Sequence, residues 1–354
     1  MSAMDHEALR VPRGSVSGTE ATGSALPGPP APARMARFGE SFRQRVLLTI
    51  DTEEEFDWNA PFTREQHGLE HVAAIPRFQA LCEEIGAHPV YLVDWPIAGD
   101  AQAVEIIGDA VRRGTAEIGM QLHPWVNPPF EEALCPRNSF AGNLPHALEA
   151  EKLARLRDRI EAAFGQAPII YRAGRYGVGP NTAGLLKAND IRIDSSVRSL
   201  FDYSHQGGPD FSRHPAAPYW IDEERALLEL PLTSVYTGPL RTLGPQLHRA
   251  QRHIPHFFAA FSHSGLLERI ALTPEGVNAE EALRGLDAAL DAGLPLIVLS
   301  LHSPSLAPGH TPYVKSPQDV AELHDWMRRI YARLAARGVR SARMRDVLRA
   351  VDLG

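Results

Sequence analysis

The stretch Val46-Leu47-Leu48-Thr49-Ile50-Asp51-Thr52-Glu53-Glu54-Glu55 decides the fold. Five apolar or β-branched residues run straight into Asp51, and Glu53 follows two positions later. An apolar run of this length bounded by acids reads as a buried strand ending in carboxylates. In extended backbone Asp51 and Glu53 point the same way, and two such carboxylates repel unless a cation or a shared proton relieves them. The stretch is therefore either a metal or acid–base site or a solvated acidic loop, and the rest of the chain has to choose.

The 354 residues suffice for one large domain or two ordinary ones. Hydrophobic residues make up 44% and charged residues 22%, globular values that supply a sizeable core. A net charge of −7 argues against nucleic acid or an anionic membrane as the main partner. Cys82 and Cys135 are the only cysteines, so there is no disulfide framework and no thiolate metal site. No window is long and apolar enough to span a bilayer, and a soluble cytoplasmic protein is the expectation. Residues 1–37 are rich in Gly, Ser, Ala and Pro without periodicity, as in a disordered tail, which leaves 38–354 as one folded domain.

Working outward, helical spacing over 69–85 has Pro76 near its first turn and Gly86 as its stop. A strand at 89–93 then ends in Asp94-Trp95. A helix over 103–113 and a strand over 116–120 lead to Gln121-Leu122-His123-Pro124-Trp125. The alternation continues with a helix over 147–164 and a strand over 168–171, which ends at Arg172-Ala173-Gly174-Arg175. A helix over 182–188 precedes a strand at 191–193 and Asp194, and a sixth strand covers 226–230. A partly helical insertion is expected at 241–275. A helix over 279–292 then feeds the most apolar strand, 295–301, which ends at His302. Seven strands alternating with helices predict a parallel α/β sheet closed or nearly closed into a barrel. Asp51, Asp94, His123, Arg172, Asp194 and His302 all follow strands, and parallel strands put such ends on one rim. Chance would scatter them over both ends, so a site is favoured.

The order of these motifs resembles the polysaccharide deacetylase superfamily (the NodB-homology domain, carbohydrate esterase family 4). The match runs from Asp51-Thr52-Glu53 through Glu117-Ile118-Gly119, Arg172-Ala173-Gly174-Arg175-Tyr176, Asp194-Ser195-Ser196 and Leu228-Glu229-Leu230-Pro231 to Leu299-Ser300-Leu301-His302. The resemblance implies a distorted (β/α)7 barrel of the polysaccharide deacetylase type. It also implies removal of acetyl groups from sugars with a divalent metal held by one acid and two histidines. This chain departs from that pattern. The second acid comes one residue late, and Gln121 and Trp125 stand where the two histidines are expected. The variant motifs are similar to the branch named for the lipopolysaccharide-biosynthesis protein WalW.

By this resemblance Asp51 is the general base, His302 the general acid or a second metal ligand, and Arg172 the partner that tunes Asp51. Glu53 and His123 are the metal ligands, with Asp94 as the third in place of Gln121; the ion is zinc, manganese or another divalent metal. Arg175 is expected to bind a substrate carboxylate or phosphate, with Asp194 also on the substrate side. Trp58, Trp95 and Trp125 follow strand ends and suit stacking on sugar rings. Three functions fit: a metal-dependent deacetylase of cell-envelope polysaccharide or lipopolysaccharide metabolism, a metal-independent amide hydrolase acting on a small molecule, and a non-catalytic sugar-binding homologue.

Overall fold

In the computed structural model, which describes residues 28–244, 246–247 and 265–351, strands and helices alternate for most of the chain. The first half comprises β1 (Arg45–Thr52), α1 (Ile75–Ile85), β2 (Pro89–Val93), α2 (Ala101–Arg112), β3 (Glu117–Leu122), α3 (His146–Phe164), β4 (Ile170–Ala173), α4 (Thr182–Ala188) and β5 (Ile193–Asp194). The second half comprises β6 (Tyr219–Trp220), β7 (Leu228–Glu229), β8 (Ser234–Thr237), β9 (Glu268–Ala271), α5 (Ala279–Asp291), β10 (Leu296–His302), α6 (Pro317–Ala336), β11 (Arg340–Ser341) and α7 (Met344–Val351). Gly86 closes α1 in the left-handed conformation at φ 72°, where a side chain would be strained.

Seven strands lie parallel in the order β10-β1-β2-β3-β4-β5-β7. The gap between the two ends is narrowed by main chain just beyond β7. There Leu232 N–H donates to Val197 at 2.9 Å, and Thr233 N–H donates to the Val298 carbonyl at 3.1 Å. The fold is a distorted (β/α)7 barrel. β6 runs antiparallel along β7, and β11 lies parallel beside β1.

Two expectations change. The 241–275 stretch, expected as partly helical, holds β9, which pairs antiparallel with β8; residues 245 and 248–264 lie outside the described residues. The expected tail, 1–37, falls outside them only as far as residue 27. Its last part is docked: Arg34 donates to the Ile221 carbonyl at 2.6 Å, and Ala36 N–H donates to Pro218 at 3.0 Å. Among the described residues no helix is long and apolar enough to cross a membrane.

The two faces of the sheet bury separate cores. Val46, Leu48, Ile50, Tyr91, Val93, Ile118, Met120, Leu299 and Leu301 pack against the helices. Leu47, Val90, Leu92, Ile170, Ile193, Leu228, Leu296 and Val298 fill the barrel interior. Because side chains alternate along a strand, counting by twos from the inner residues gives the inward set at the rim. Leu47 leads to Asp51, Leu92 to Asp94, Ile170 to Arg172 and Val298 to His302. Gly119 leads likewise to Gln121 and His123.

A buried acid outside this set sets a pH dependence. Glu149 on α3 accepts a 2.5 Å hydrogen bond from Thr182 at the start of α4, while its other oxygen has no partner. Burial pushes its carboxyl up to about 7, so the proton it carries satisfies the fold. The contribution of a raised carboxyl is complete below its ordinary value of 4.5 and is lost as pH rises through about 7. Glu149→Gln is therefore expected to gain at least about 2 °C in melting temperature relative to wild type between about pH 5 and about pH 8. A difference that stays constant over that range refutes the assignment.

Candidate active site

Asp51 ends β1 directly opposite His302 at the end of β10, as register partners in the parallel ladder. Its Oδ1 pairs with the Arg172 guanidinium, and its Oδ2 lies 3.7 Å from His302 Nε2. Arg172 is fully buried and has each donor group assigned. Its Nε donates to the Ser195 carbonyl at 2.8 Å, and its Nη2 donates to Thr49 at 2.9 Å and Ser195 at 3.0 Å. The fork fixes the Asp51 carboxylate with one oxygen free toward His302. On the far side of that ring, Nδ1 and Glu275 Oε2 are 2.7 Å apart, and the His302 N–H donates to Glu275 Oε1 at 3.0 Å. Burial works against the imidazolium, but the Glu275 carboxylate, with Glu53 and Asp51 behind it, raises His302 to about 10. His302 is thus charged at neutral pH.

Glu53 and His123 form the other half of the rim. Glu53 Oε2 lies 3.4 Å from His123 Nε2 and accepts a 3.1 Å bond from Gln121. Burial pushes the Glu53 carboxyl up to about 8, against the pull of His302 and His123. His123 Nδ1 is 2.8 Å from Glu54 Oε2, and Trp125 Nε1 donates to the other Glu54 oxygen at 2.6 Å. A carboxylate behind Nδ1 leaves Nε2 to face Glu53, as behind a metal-bound imidazole. The neighbouring Gly174 has no room for a side chain, since a Cβ there would meet His123 Cδ2 at 2.4 Å.

The residues fit a divalent ion at one of two places. Glu54, Asp94 and His123 bring ligand atoms within 4.8 Å of one another. However, both Asp94 oxygens already accept main-chain N–H groups, from Ile97 and Glu54, each at 2.9 Å. Burial and the adjacent Glu54 push Asp94 well above the usual carboxylate range. The second place lies between Glu53 and His123. Glu53 Oε2 and His123 Nε2 are spaced as neighbouring ligands of one ion about 2.1 Å from each. Beside them the Gln121 carbonyl oxygen is buried without a partner. Asp94, the expected third ligand, lies with Glu54 and His123 at the first place, while Gln121 turns its amide nitrogen to Glu53 at the second.

The loops beyond β1 and β10 are tied together behind these residues. Glu53 N–H donates to Ser303 Oγ at 3.3 Å, Ser303 bonds His71 Nε2 at 2.8 Å, and His71 Nδ1 bonds Glu55 at 2.8 Å. Sequence reasoning missed Glu54, Glu55, His71 and Glu275 in these roles. Glu54 and Glu55 stood in the quoted acidic run. His71 lies in a short 3-10 helix and Glu275 four residues beyond β9, a strand that the sequence did not reveal.

Other expected site residues go elsewhere. Arg175, at φ 53°, donates to Ser139 at 2.6 Å and Gln206 at 2.5 Å and lies 4.3 Å over the Phe140 ring, so its guanidinium is engaged by the protein itself. Asp194 lies beside the inward Ile193 and so faces the opposite side of the sheet. There it opposes Glu229 and accepts from Ser196. Burial raises Asp194 to about 6 and, with Asp194 beside it, lifts Glu229 well above the usual carboxylate range. Trp125 is buried, stacked on His123 at 4.3 Å, and Trp95 is covered by Arg159 at 4.0 Å. Trp58 is the half-buried aromatic at the centre, edge-on to His302 at 5.1 Å.

The loop that carries His123 and Trp125 is held from below by one cation. The fully buried Lys152 on α3 donates to the carbonyls of Pro124 (2.9 Å), Asn127 (2.5 Å) and Pro129 (2.7 Å), and pairs with Glu132 at 3.1 Å. Lys152→Met leaves these acceptors unsatisfied and is expected to cost about 2 kcal/mol, read as a lower denaturation midpoint. An unchanged midpoint would show that water replaces the ammonium.

No family model matches the chain, and no curated protein matches it in sequence. Solved structures resemble it in fold. A protein assigned as a polysaccharide deacetylase from Mycobacterium smegmatis superposes with a TM-score of 0.52 at 18% identity, covering 91% of this chain and 95% of that one. A 4-alpha-glucanotransferase from Thermococcus litoralis gives 0.50 at 11% identity over 86% of this chain, which spans 40% of that larger protein. A family 4 carbohydrate esterase from Streptomyces lividans, in complex with acetate, gives 0.42 at 10% identity, covering 85% and 93%. The first of these is similar along nearly its whole length. At such identities these likenesses concern the barrel alone.

Proposed function

We propose that this protein is a hydrolase of a non-peptide carbon–nitrogen bond, removing an acetyl group from an N-acetylated sugar in cell-envelope polysaccharide or lipopolysaccharide metabolism. The observation that carries the reading is the convergence of Asp51 Oδ2, Glu53 Oε2, His123 Nε2 and His302 Nε2 on one rim, each side chain anchored from behind. Asp51, held by Arg172, is placed to take a proton from an attacking water. His302, protonated and backed by Glu275, is placed to stabilise the developing oxyanion and to return a proton to the departing amine. Trp58 offers the ring a stacking face. Glu53 and His123, with Gln121, are the residues that would hold a divalent ion, whose chemistry is to polarise the acyl carbonyl.

The test is acetate release from N-acetylglucosamine oligomers and nucleotide-linked N-acetyl sugars, before and after chelation and with zinc or manganese restored. Release that falls with chelation and returns with metal supports the reading. His123→Ala is expected to weaken metal binding at least about tenfold. Release that is indifferent to chelation favours a metal-independent hydrolase. No release from any acetylated sugar overturns the proposal.

A further inference from the structure

Arg198 is a cation near this centre that the proposed chemistry leaves unused. It lies four residues beyond β5, where its main chain bridges to Leu232. Its side chain is half-buried, and among the described residues it has no carboxylate partner. Its one hydrogen bond, to the Tyr203 hydroxyl, is long at 3.4 Å. Aromatic rings supply its walls: the guanidinium lies 4.1 Å over Phe201 and 5.7 Å from the Tyr176 ring centre. The other rim arginines differ. Arg172 is saturated by Asp51, Thr49 and Ser195, and Arg175 by Ser139 and Gln206.

Two tyrosines lie between Arg198 and the reacting groups. The Tyr176 ring, 5.7 Å from the guanidinium and 5.5 Å from the Tyr203 ring, comes four residues after Arg172 in the turn that follows β4. Tyr313 lies within reach of both Arg198 and Glu275, and its ring is 5.9 Å from Trp58, which in turn contacts His302. The main chain that delivers this group is strained, with Tyr176 at φ 60° and Leu200 at φ 70°, both left-handed without being glycine. A partly desolvated guanidinium that keeps its charge but lacks a counter-anion favours an incoming oxyanion, which it can grip with two parallel N–H groups.

We propose that Arg198, walled by Tyr176, Phe201 and Tyr203, is an anion-binding subsite that selects sugars carrying a carboxylate or phosphate next to the acetylated ring. This inference rests on the hydrolase reading of the neighbouring centre. The subsite is tested by binding, independently of turnover. The probes are D-glucuronate, D-glucose 6-phosphate and neutral D-glucose, titrated into the full-length protein by calorimetry at low salt.

At least one charged sugar is expected to bind about tenfold more tightly than glucose, and the preference should shrink as salt is raised. The tighter of the two identifies the carboxylate or the phosphate as the group recognised. Arg198→Gln should abolish the preference, Arg198→Lys should retain part of it, and Asp51→Asn should leave it in place. Equal binding of charged and neutral sugars by the wild type overturns the subsite, with no variant needed. A preference that survives in Arg198→Gln overturns it as well. A wild type that releases no acetate yet keeps the Arg198-dependent preference removes the hydrolase reading and leaves the subsite standing.

Discussion

Asp51→Asn is expected to lower kcat for acetate release by about a thousandfold while the protein stays folded. General-base catalysis contributes about a hundred- to ten-thousandfold. The amide has the shape of the carboxylate, and its oxygen still accepts from Arg172, so the pairing geometry survives. What it lacks is the basic oxygen that faces His302 at 3.7 Å. KM should change little, because the expected stacking surface and the Arg198 group do not touch Asp51. Activity within about tenfold of wild type would exclude Asp51 as the base, and the role would pass to Glu53, whose carboxyl is raised to about 8.

The second large effect is on stability. Arg172→Met removes the guanidinium from a buried pair and leaves the Asp51 carboxylate, only 2% exposed, with only the more distant His302 imidazolium, 3.7 Å away, to face it. Breaking such a pair from one side costs about 3–5 kcal/mol, more than an exposed bridge could contribute. It also strips the hydrogen bonds that Thr49 and Ser195 share with the guanidinium. A fall of about 4–7 °C in melting temperature follows for a chain of this size. The double variant Asp51→Asn/Arg172→Met should recover part of that loss, since no lone charge remains buried. If the single and double variants melt together, the cost lies in packing rather than in the stranded carboxylate.

Much of the barrel was legible because its strands are short apolar runs that stop at polar residues. Leu47 to Ile50, Val90 to Val93 and Leu296 to Leu301 could hardly be anything else, and their parity assigns Asp51, Asp94 and His302 to the interior. The short pairings at β6, β8 and β9 were not legible, since two to four residues carry no period that separates strand from loop. Within the site, the sequence pointed to side chains at strand ends but could not show what stands behind them. Glu54 and Glu275 read as loop acids, yet each fixes a histidine. Arg175 looked available for a ligand because its motif does not reveal Ser139 or Gln206, which come from distant loops. Arg198 had the opposite fate. Among the described residues no carboxylate pairs with it, and pattern reading does not register a missing partner.

The pairing of β10 with β1 has a consequence for how the protein is made. Glu53 and Ser303, joined by a hydrogen bond at the rim, are 250 positions apart in the chain. A ribosome delivering the N-terminal strand first must hold it without its neighbour until nearly all the rest has emerged. During that interval the edge of β1 that later receives β10 is bare, and an unpaired apolar edge invites the wrong partner. Closing so long a loop adds only slowly to the entropic cost, but it makes the final strand insertion a late and non-local event. Truncation from the C-terminal side takes α7, β11 and α6 first, and once it reaches β10 it removes the reacting centre while β1 to β7 are still present, because the last strand of the barrel completes the site that the first one begins.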